Sequence, residues 1–404
     1  MRAGVVFPTA SMLAVLMTAS MGSFAVAVVA AEAAPAIGID ATYVGFYTSI
    51  VFIVAMFSGM GSEAFIHRFG AIRVCQGSML FAAVSMGIMA LGYPWAALLS
   101  AALLGMAHGP FNPASAHVLV NVASPRWRPL IFSIKQTGVP VGGMLAGGLI
   151  PVLTLALGWR GAVLVVTGIA LAVLITLQPL RRTFDANRKR GEPLSRISIT
   201  SPLRLVITHP ALRGLALVAF AYAGCQSSVG AFFVLYMVQV ADMPLVQAGL
   251  VFALLQTGGG CGRISWGAIA GRFVSSRKLL AALGMATATL IAVMLVLTSR
   301  SPPAVIAALG FIMGASSFGW NGVFLAEVAA RAPEGKIGEA TAGVQFVMFG
   351  GIVIMPPLFA VVVNVAQSYA AAFSIAAGAA LVAGIYLATW FGRALGSERK
   401  GSLR

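Results

Sequence analysis

Acidic side chains are scarce in this chain: ten Asp and Glu stand against 26 Lys and Arg among 404 residues. Charge of either sign is scarce as well, at 9% of residues, where a soluble globular protein carries roughly 25%. So few charges cannot cover a surface that faces water, which excludes a soluble globular protein. Cysteine is limited to Cys75, Cys225 and Cys261, each within an apolar stretch. They are too scattered for a thiolate metal site and poorly placed for a disulfide framework. No HExxH, no GxSxG and no His/Asp cluster at catalytic spacing occurs in the apolar stretches, so neither a metal centre nor a hydrolytic one is expected. The glycine-rich "TGGGCGR" ending at Arg263 lacks the GK[ST] of a phosphate loop and lies inside an apolar stretch. The expectation is a protein that is not an enzyme and carries no cofactor.

What is present is long apolar sequence: 59% of residues are hydrophobic and the mean hydropathy is +0.96. A membrane-spanning helix needs about 20 apolar residues. Twelve such stretches can be marked, at 8–31, 43–65, 72–92, 95–122, 129–155, 160–180, 211–239, 246–270, 278–298, 303–330, 340–364 and 368–392. Open backbone hydrogen bonds are intolerable in hydrocarbon, so the spans are helices. The fold class is an all-α polytopic membrane protein with 12 transmembrane helices. "AVAVVAAEAAPA" offers small-residue cleavage-like sites after the first stretch, but that stretch exceeds a signal-peptide core, and an uncleaved first span is expected.

A net charge of +16 raises the possibility of nucleic acid, and the positions of the cations argue against it. Lys135 and Arg263 lie within spans, and Arg160 and Arg300 between spans 5 and 6 and spans 9 and 10. The remaining 22 Lys and Arg sit at the termini, in alternate connections or, for Arg73, Arg213 and Lys278, within the first three residues of the span that follows such a connection. That is the positive-inside pattern, which places both termini in the cytoplasm. The partner implied is a lipid bilayer.

Shifted against itself by about 204 residues, the sequence aligns Gly45 with Gly249, Arg68 with Arg272 and Phe69 with Phe273. Near an offset of about 209, Gly105 meets Gly314 and Asn112 meets Asn321; near about 208, Gly142-Gly143 meets Gly350-Gly351. These matches, in order and at nearly constant spacing, indicate two homologous six-helix halves, 1–180 and 211–404. They are joined by a charged cytoplasmic linker at 181–210, in which "SPLRLVITHP" can form a short helix on the membrane surface.

Polar groups at depth fall on particular spans: His108 and Asn112 on span 4, Lys135 and Gln136 on span 5, Gln226 on span 7, Gln256 and Arg263 on span 8, Asn321 on span 10 and Gln345 on span 11. Spans 3, 6, 9 and 12 have none near their centres. Polar groups at membrane depth face a protein interior or a water-filled cavity. The pattern describes a central cavity lined by spans 1, 2, 4, 5, 7, 8, 10 and 11.

The segment "EAFIHRFGAIR", ending at Arg73, joins spans 2 and 3, and "GAIAGRFVSSRK", starting at Gly267, holds the equivalent place in the second half. With "GWR" at residues 158–160 and a Pro/Gly-rich span 5, they resemble the major facilitator superfamily, whose loop signature is roughly G-x-x-x-D-R-x-G-x-R/K. Arg68, Gly70 and Arg73 match the first copy; Gly267, Arg272 and Arg277 match the second. His67 and Gly271 stand where the family has Asp. The resemblance implies a transporter working by alternating access, with Arg68, Arg73 and Arg272 in the gating loops. Glu327, four residues from Arg331 and near the cytoplasmic edge, is expected to form a gate salt bridge with Arg272, the alternative being a proton-carrying role. "GGCGRISWG" around Arg263 resembles span 8 of oxalate/formate-type exchangers, and monocarboxylate transporters also keep an arginine there. "IFSIKQTGVPVGG" resembles carriers near the cyanate and nitrate branches. Oxalate/formate-type carriers use a second cation in span 11; here Lys135 occupies the repeat-related span 5.

A Lys or Arg at helix centre costs about 2.5–3.5 kcal/mol on insertion scales. Counted from the cytoplasmic ends at 1.5 Å per residue, Lys135 and Arg263 each lie about 10 Å deep, with no carboxylate at that level. The missing anion is then a substrate: Arg263 offers a planar fork and Lys135 a point charge. The alternative for Lys135 is hydrogen bonding to helix carbonyls or snorkelling. Gln136, His108, Asn112, Tyr222, Gln226, Asn321 and Gln345 complete the candidate substrate-binding set. His108 can titrate near neutral pH or simply hydrogen-bond within the bundle, and Asn112 and Asn321 can bind substrate or join helices. The functional expectation is secondary transport of a small organic anion, a monocarboxylate, by a monomer, coupled to protons or to a counter-anion. The alternative is a drug/proton antiporter exporting amphipathic compounds.

Overall fold

The computed structural model describes residues 3–60, 62–122, 128–186, 200–270, 272–297, 301–334 and 336–389. Gly271, Arg300, most of the linker and the side chain of Glu63 lie outside the described residues. Every regular element described is helical. In chain order these are α1 Ala3–Ala36, α2 Val44–Met60, α3 Ser62–Phe69, α4 Ala71–Met89, α5 Pro94–Val122, α6 Arg128–Gln136, α7 Gly138–Thr176 and α8 Gln178–Phe184. They continue with α9 Thr200–Thr208, α10 Pro210–Gln239, α11 Leu245–Ile269, α12 Ser276–Met294, α13 Pro303–Ser317, α14 Asn321–Arg331, α15 Ile337–Ala366 and α16 Tyr369–Thr389. A 3₁₀ turn, Ala41–Tyr43, precedes α2.

Ten stretches are long and apolar enough to cross a membrane, one of them the 51-residue run Ile134–Phe184. That run is two crossings. Inside α7, Gly158 takes φ 72° and ψ 165°, a left-handed conformation that only glycine adopts without strain, and the chain reverses there. The remaining crossing is α5, 29 residues long, in which His108 and Asn112 lower the hydropathy of an otherwise apolar helix. Together these make the 12 crossings expected from the sequence.

The chain forms two compact units. Unit 1 comprises Met1–Ile197 with Pro244–Ala253, and unit 2 comprises Ser198–Met243 with Leu254–Arg404. In unit 1, α1 packs along α7 and α2 along α5. Both seams close through glycine. A Cβ on Gly142 would strike the carbonyl of Met17, and one on Gly105 would strike that of Val51. Unit 2 repeats the device: a Cβ on Gly351 would strike the carbonyl of Phe220 on α10, and one on Gly314 that of Leu255 on α11. Apolar chains gain nothing by leaving lipid for each other, so close backbone approach at small residues is what holds such seams.

At the turn between α3 and α4, Gly70 has φ 100°. Asp185, just after α8, is buried here, and its carboxylate accepts the N–H groups of Ile72 at 2.9 Å and Arg73 at 3.1 Å. It caps the N-terminus of α4, where N–H groups lack intrahelical partners and a negative charge is favoured. The turn's own sequence has His67 in the acidic position; the carboxylate arrives instead from the end of the sixth crossing. The segment expected to form a short helix in the linker does so as α9, which packs on α15 through Pro202 and Val206 beside Gly343.

Candidate functional site

Each unit carries its own cluster of polar side chains. In unit 1 the cluster is built from α5 and α6. Helix α6 stops at Gln136, where the Thr137 hydroxyl donates to the Ile134 carbonyl at 2.6 Å. Pro140, three residues further on, has no N–H with which to continue the ladder. Lys135 lies in the last turn before this break and is only 3% exposed. Its ammonium donates to Asn112 Oδ1 at 2.8 Å and Ser115 Oγ at 3.1 Å, and sits 5.2 Å from the centroid of the Phe111 ring. All three partners come from one stretch of α5, at the i, i+1 and i+4 positions that a helix brings around one side. Neither helix carbonyls nor a snorkelled path holds the lysine. Its partners are neutral side chains, and among the described residues no carboxylate faces it. With three protons on the ammonium, two are committed.

His108 lies one turn before Asn112. Its Nδ1 donates to the Leu104 carbonyl at 3.2 Å, a contact that fixes the proton on that nitrogen because a carbonyl only accepts. Its ring packs 6.1 Å from that of Phe52. Gln136 is half-buried beside Lys135.

In unit 2 the cluster forms around the break between α13 and α14. Arg263 on α11 donates through Nε to the Phe318 carbonyl at 3.1 Å. Asn321 Nδ2 approaches the same carbonyl at 3.4 Å and Gln226 Oε1 on α10 at 3.3 Å. Trp320 Nε1 donates to Gln226 Oε1 at 2.9 Å. One helix break therefore gathers Arg263, Asn321 and Gln226, three residues the sequence places in the site. Tyr222 joins only by its ring edge, 5.4 Å from the Trp320 centroid; its hydroxyl donates to the Leu280 carbonyl at 2.7 Å, which makes it a strut between helices. Gln345 is half-buried on α15 and outside the cluster. Gln256 on α11 is fully buried, and neither amide atom has a hydrogen-bond partner.

The expected gating contacts need one correction. Glu327 pairs with Arg331 at 3.0 Å, not with Arg272. The two lie four residues apart on α14, where the helix itself brings them together, while Arg272 is exposed and stacks 5.2 Å from the Phe273 ring. Arg68 stacks similarly, 5.5 Å from the Phe69 ring, and Arg73 donates to Gln76 Oε1 at 3.1 Å. Sequence reading missed Ser115, Phe111, Trp320 and Asp185. Phe111 adjoins Asn112 and Ser115 lies about one turn beyond it, a signal that was available. Trp320 and Asp185 carried none, because their partners are distant in sequence.

Twelve apolar crossings in two repeated units, with polar side chains on the fourth, fifth, seventh, eighth and tenth crossings, define the architecture of a secondary transporter. The Major Facilitator Superfamily model matches residues 11–349, and the chain belongs to that family. It is a multi-pass membrane transporter. Among solved structures it is similar to the peptide transporter POT in complex with sulfate, at 16% identity and TM-score 0.75, covering 96% of this chain and 94% of that one. A mutant of the nucleoside transporter NupG aligns at 12% identity and TM-score 0.77, covering 94% and 98%. A bacterial homolog of the human lysosomal transporter Spinster, inward-facing and unoccupied, aligns at 13% identity and TM-score 0.69, covering 96% and 95%. At such identities the likeness is one of fold. No curated protein sequence matches the chain.

Proposed function

We propose that this transporter carries a small organic anion, a monocarboxylate, across the bacterial inner membrane by alternating access, with both termini in the cytoplasm. The carrying observation is Lys135: a 3% exposed lysine whose hydrogen bonds go to Asn112 and Ser115, groups that orient the charge and do not cancel it. Removing a charge from water is costly unless it is paired. A carboxylate that takes the third ammonium proton supplies the pairing and is released when the cavity hydrates. Arg263, in the polar cluster of unit 2, is the second candidate, with a planar guanidinium suited to a carboxylate. Binding the anion lowers the cost of keeping the charge away from water, and alternating access carries it across. Protons or a counter-anion drive the cycle, and the chain acts as a monomer.

Ligands that bind the folded state raise its melting temperature. The test is therefore the melting of purified wild type, Lys135→Ala and Arg263→Ala against a panel of formate, acetate, lactate, oxalate, cyanate and nitrate. A monocarboxylate is expected to raise the wild-type melting temperature by several degrees and to leave both variants unmoved. A panel that shifts nothing, or a shift of equal size in all three proteins, removes Lys135 and Arg263 from substrate binding.

A further inference from the structure

Unit 1 holds another space, at the opposite end of α5. It is a cavity of about 420 Å³ where the end of α1, the 3₁₀ turn, the start of α2, the end of α4 and the start of α5 meet. From Asn112 it lies about 20 Å back along α5 at 1.5 Å per residue. The volume falls within the roughly 300–1,000 Å³ of small-molecule pockets. Short side chains make the room: Ala30, Ala33, Ala34 and Ala97 all line it. Aromatic rings furnish the rest of the wall, from Tyr43, Phe46 and Tyr47. Tyr43 and Phe46 pack against each other with centroids 5.6 Å apart. The Tyr47 hydroxyl is engaged with Ser100 Oγ at 3.0 Å, so its ring is what the cavity meets.

One charged residue lines the cavity, and it is Asp40. Its Oδ1 accepts the Thr42 N–H at 2.8 Å and also the Thr42 hydroxyl, which fixes the carboxylate at the rim. No described cation pairs with it. Asp40 is exposed and caps the 3₁₀ turn through Oδ1, and its Oδ2 has no partner among the described residues. The approach is apolar: Tyr43 and Leu98 are exposed at the rim, and exposed Tyr93 and Trp95 stack nearby with centroids 5.8 Å apart. Such aromatic pairs mark the boundary between lipid and water, where amphipathic molecules concentrate.

We propose that this cavity binds an amphipathic organic cation, its apolar body among the alanines and its positive centre against Asp40 and the aromatic faces. Carboxylate and ring faces both attract a cation and both repel an anion of the same shape. The proposal does not rest on the anion reading of Lys135, which concerns other helix ends.

The experiment is equilibrium dialysis of radiolabelled tetraphenylphosphonium against the protein in phosphatidylcholine nanodiscs. Radiolabelled tetraphenylborate, of the same shape and opposite charge, is dialysed separately, because the two ions pair in solution. Asp40→Asn keeps an acceptor for Thr42 and removes the charge; Ala97→Phe fills the cavity from its half-exposed wall. Melting temperatures confirm that both variants are folded. Saturable binding of the cation is expected in wild type and in Lys135→Ala, weakened tenfold or more in Asp40→Asn and lost in Ala97→Phe, with no saturable binding of tetraphenylborate. Saturable binding of tetraphenylborate as tight as that of the cation makes the cavity a slot for lipid chains and overturns the proposal. So does binding that is absent in wild type, or that persists undiminished in Asp40→Asn and Ala97→Phe.

Discussion

Asn112 and Ser115 make Lys135 tolerable at depth, and this gives the cluster an asymmetry that mutation can expose. Removing one partner leaves a buried charge short of hydrogen bonds, at about 1–3 kcal/mol. Removing the charge itself relieves that demand. Asn112→Leu is therefore expected to lower the melting temperature clearly, Lys135→Met to hold or raise it, and the double variant Asn112→Leu/Lys135→Met to recover most of the loss. Thermal unfolding of the four proteins reads this as a double-mutant cycle. If Asn112→Leu costs the same with and without the lysine, the asparagine packs helices and does not serve the charge. In a flux assay, Lys135→Met is stable and inactive if the lysine is kept for substrate. The charge at Lys135 was plain in the sequence, since a cation in an apolar stretch is costly wherever it points. Its partners were half legible, Asn112 by its own polarity and Ser115 only by spacing. Glu327 shows the limit: a gate partner in Arg272 was expected, while Arg331, one turn away on the same helix, is the residue it meets.

Helices here are joined less by side chains than by their absence, and the glycine matches that reveal the repeat in sequence prove to be the contact points. Gly105 and Gly314 each bring the fourth crossing of their unit against the second, and Gly142 and Gly351 each bring the fifth against the first. Periodicity made the crossings readable, and the repeat made their grouping readable. The cap on α4 was not, because Asp185 reaches Ile72 and Arg73 across more than a hundred residues of sequence. At that turn a Cβ on Gly70 would fall on the Asp185 carboxylate. Asp185→Ala strips the α4 N-terminus of its acceptor and is expected to cost about 1–3 kcal/mol. Gly70→Ala is expected to cost at least as much, adding left-handed backbone strain to the clash. Because both act on one interaction, Gly70→Ala in the Asp185→Ala background loses less than in wild type. Denaturation of the single and double variants measures the difference, and strict additivity would mean that the aspartate does not act through the turn.

Charge is distributed over the whole molecule more simply than it is over any one site. Two cations are committed inside, at Lys135 and Arg263, and nearly all the others lie at the termini or in alternate connections, a bias that orients the chain as it inserts. An even number of crossings returns the C-terminus to the side of the N-terminus, so one measurement fixes both. A fluorescent protein fused after Arg404 is expected to fluoresce, and alkaline phosphatase fused there to be inactive, because the first matures in the cytoplasm and the second in the periplasm. Fusions in the short connection at Gly158, where the chain reverses between the fifth and sixth crossings, are expected to give the opposite pair. That connection holds Arg160, one of few cations on its side, whose guanidinium lies 5.3 Å from the Trp159 ring. Active phosphatase at both sites would require an even number of crossings between them, where the six-plus-six repeat has seven. Active phosphatase at the C-terminus alone would keep the repeat and invert the molecule. The cavity beside Asp40 would then open toward the cytoplasm, and Lys135 would lie nearer the outer face.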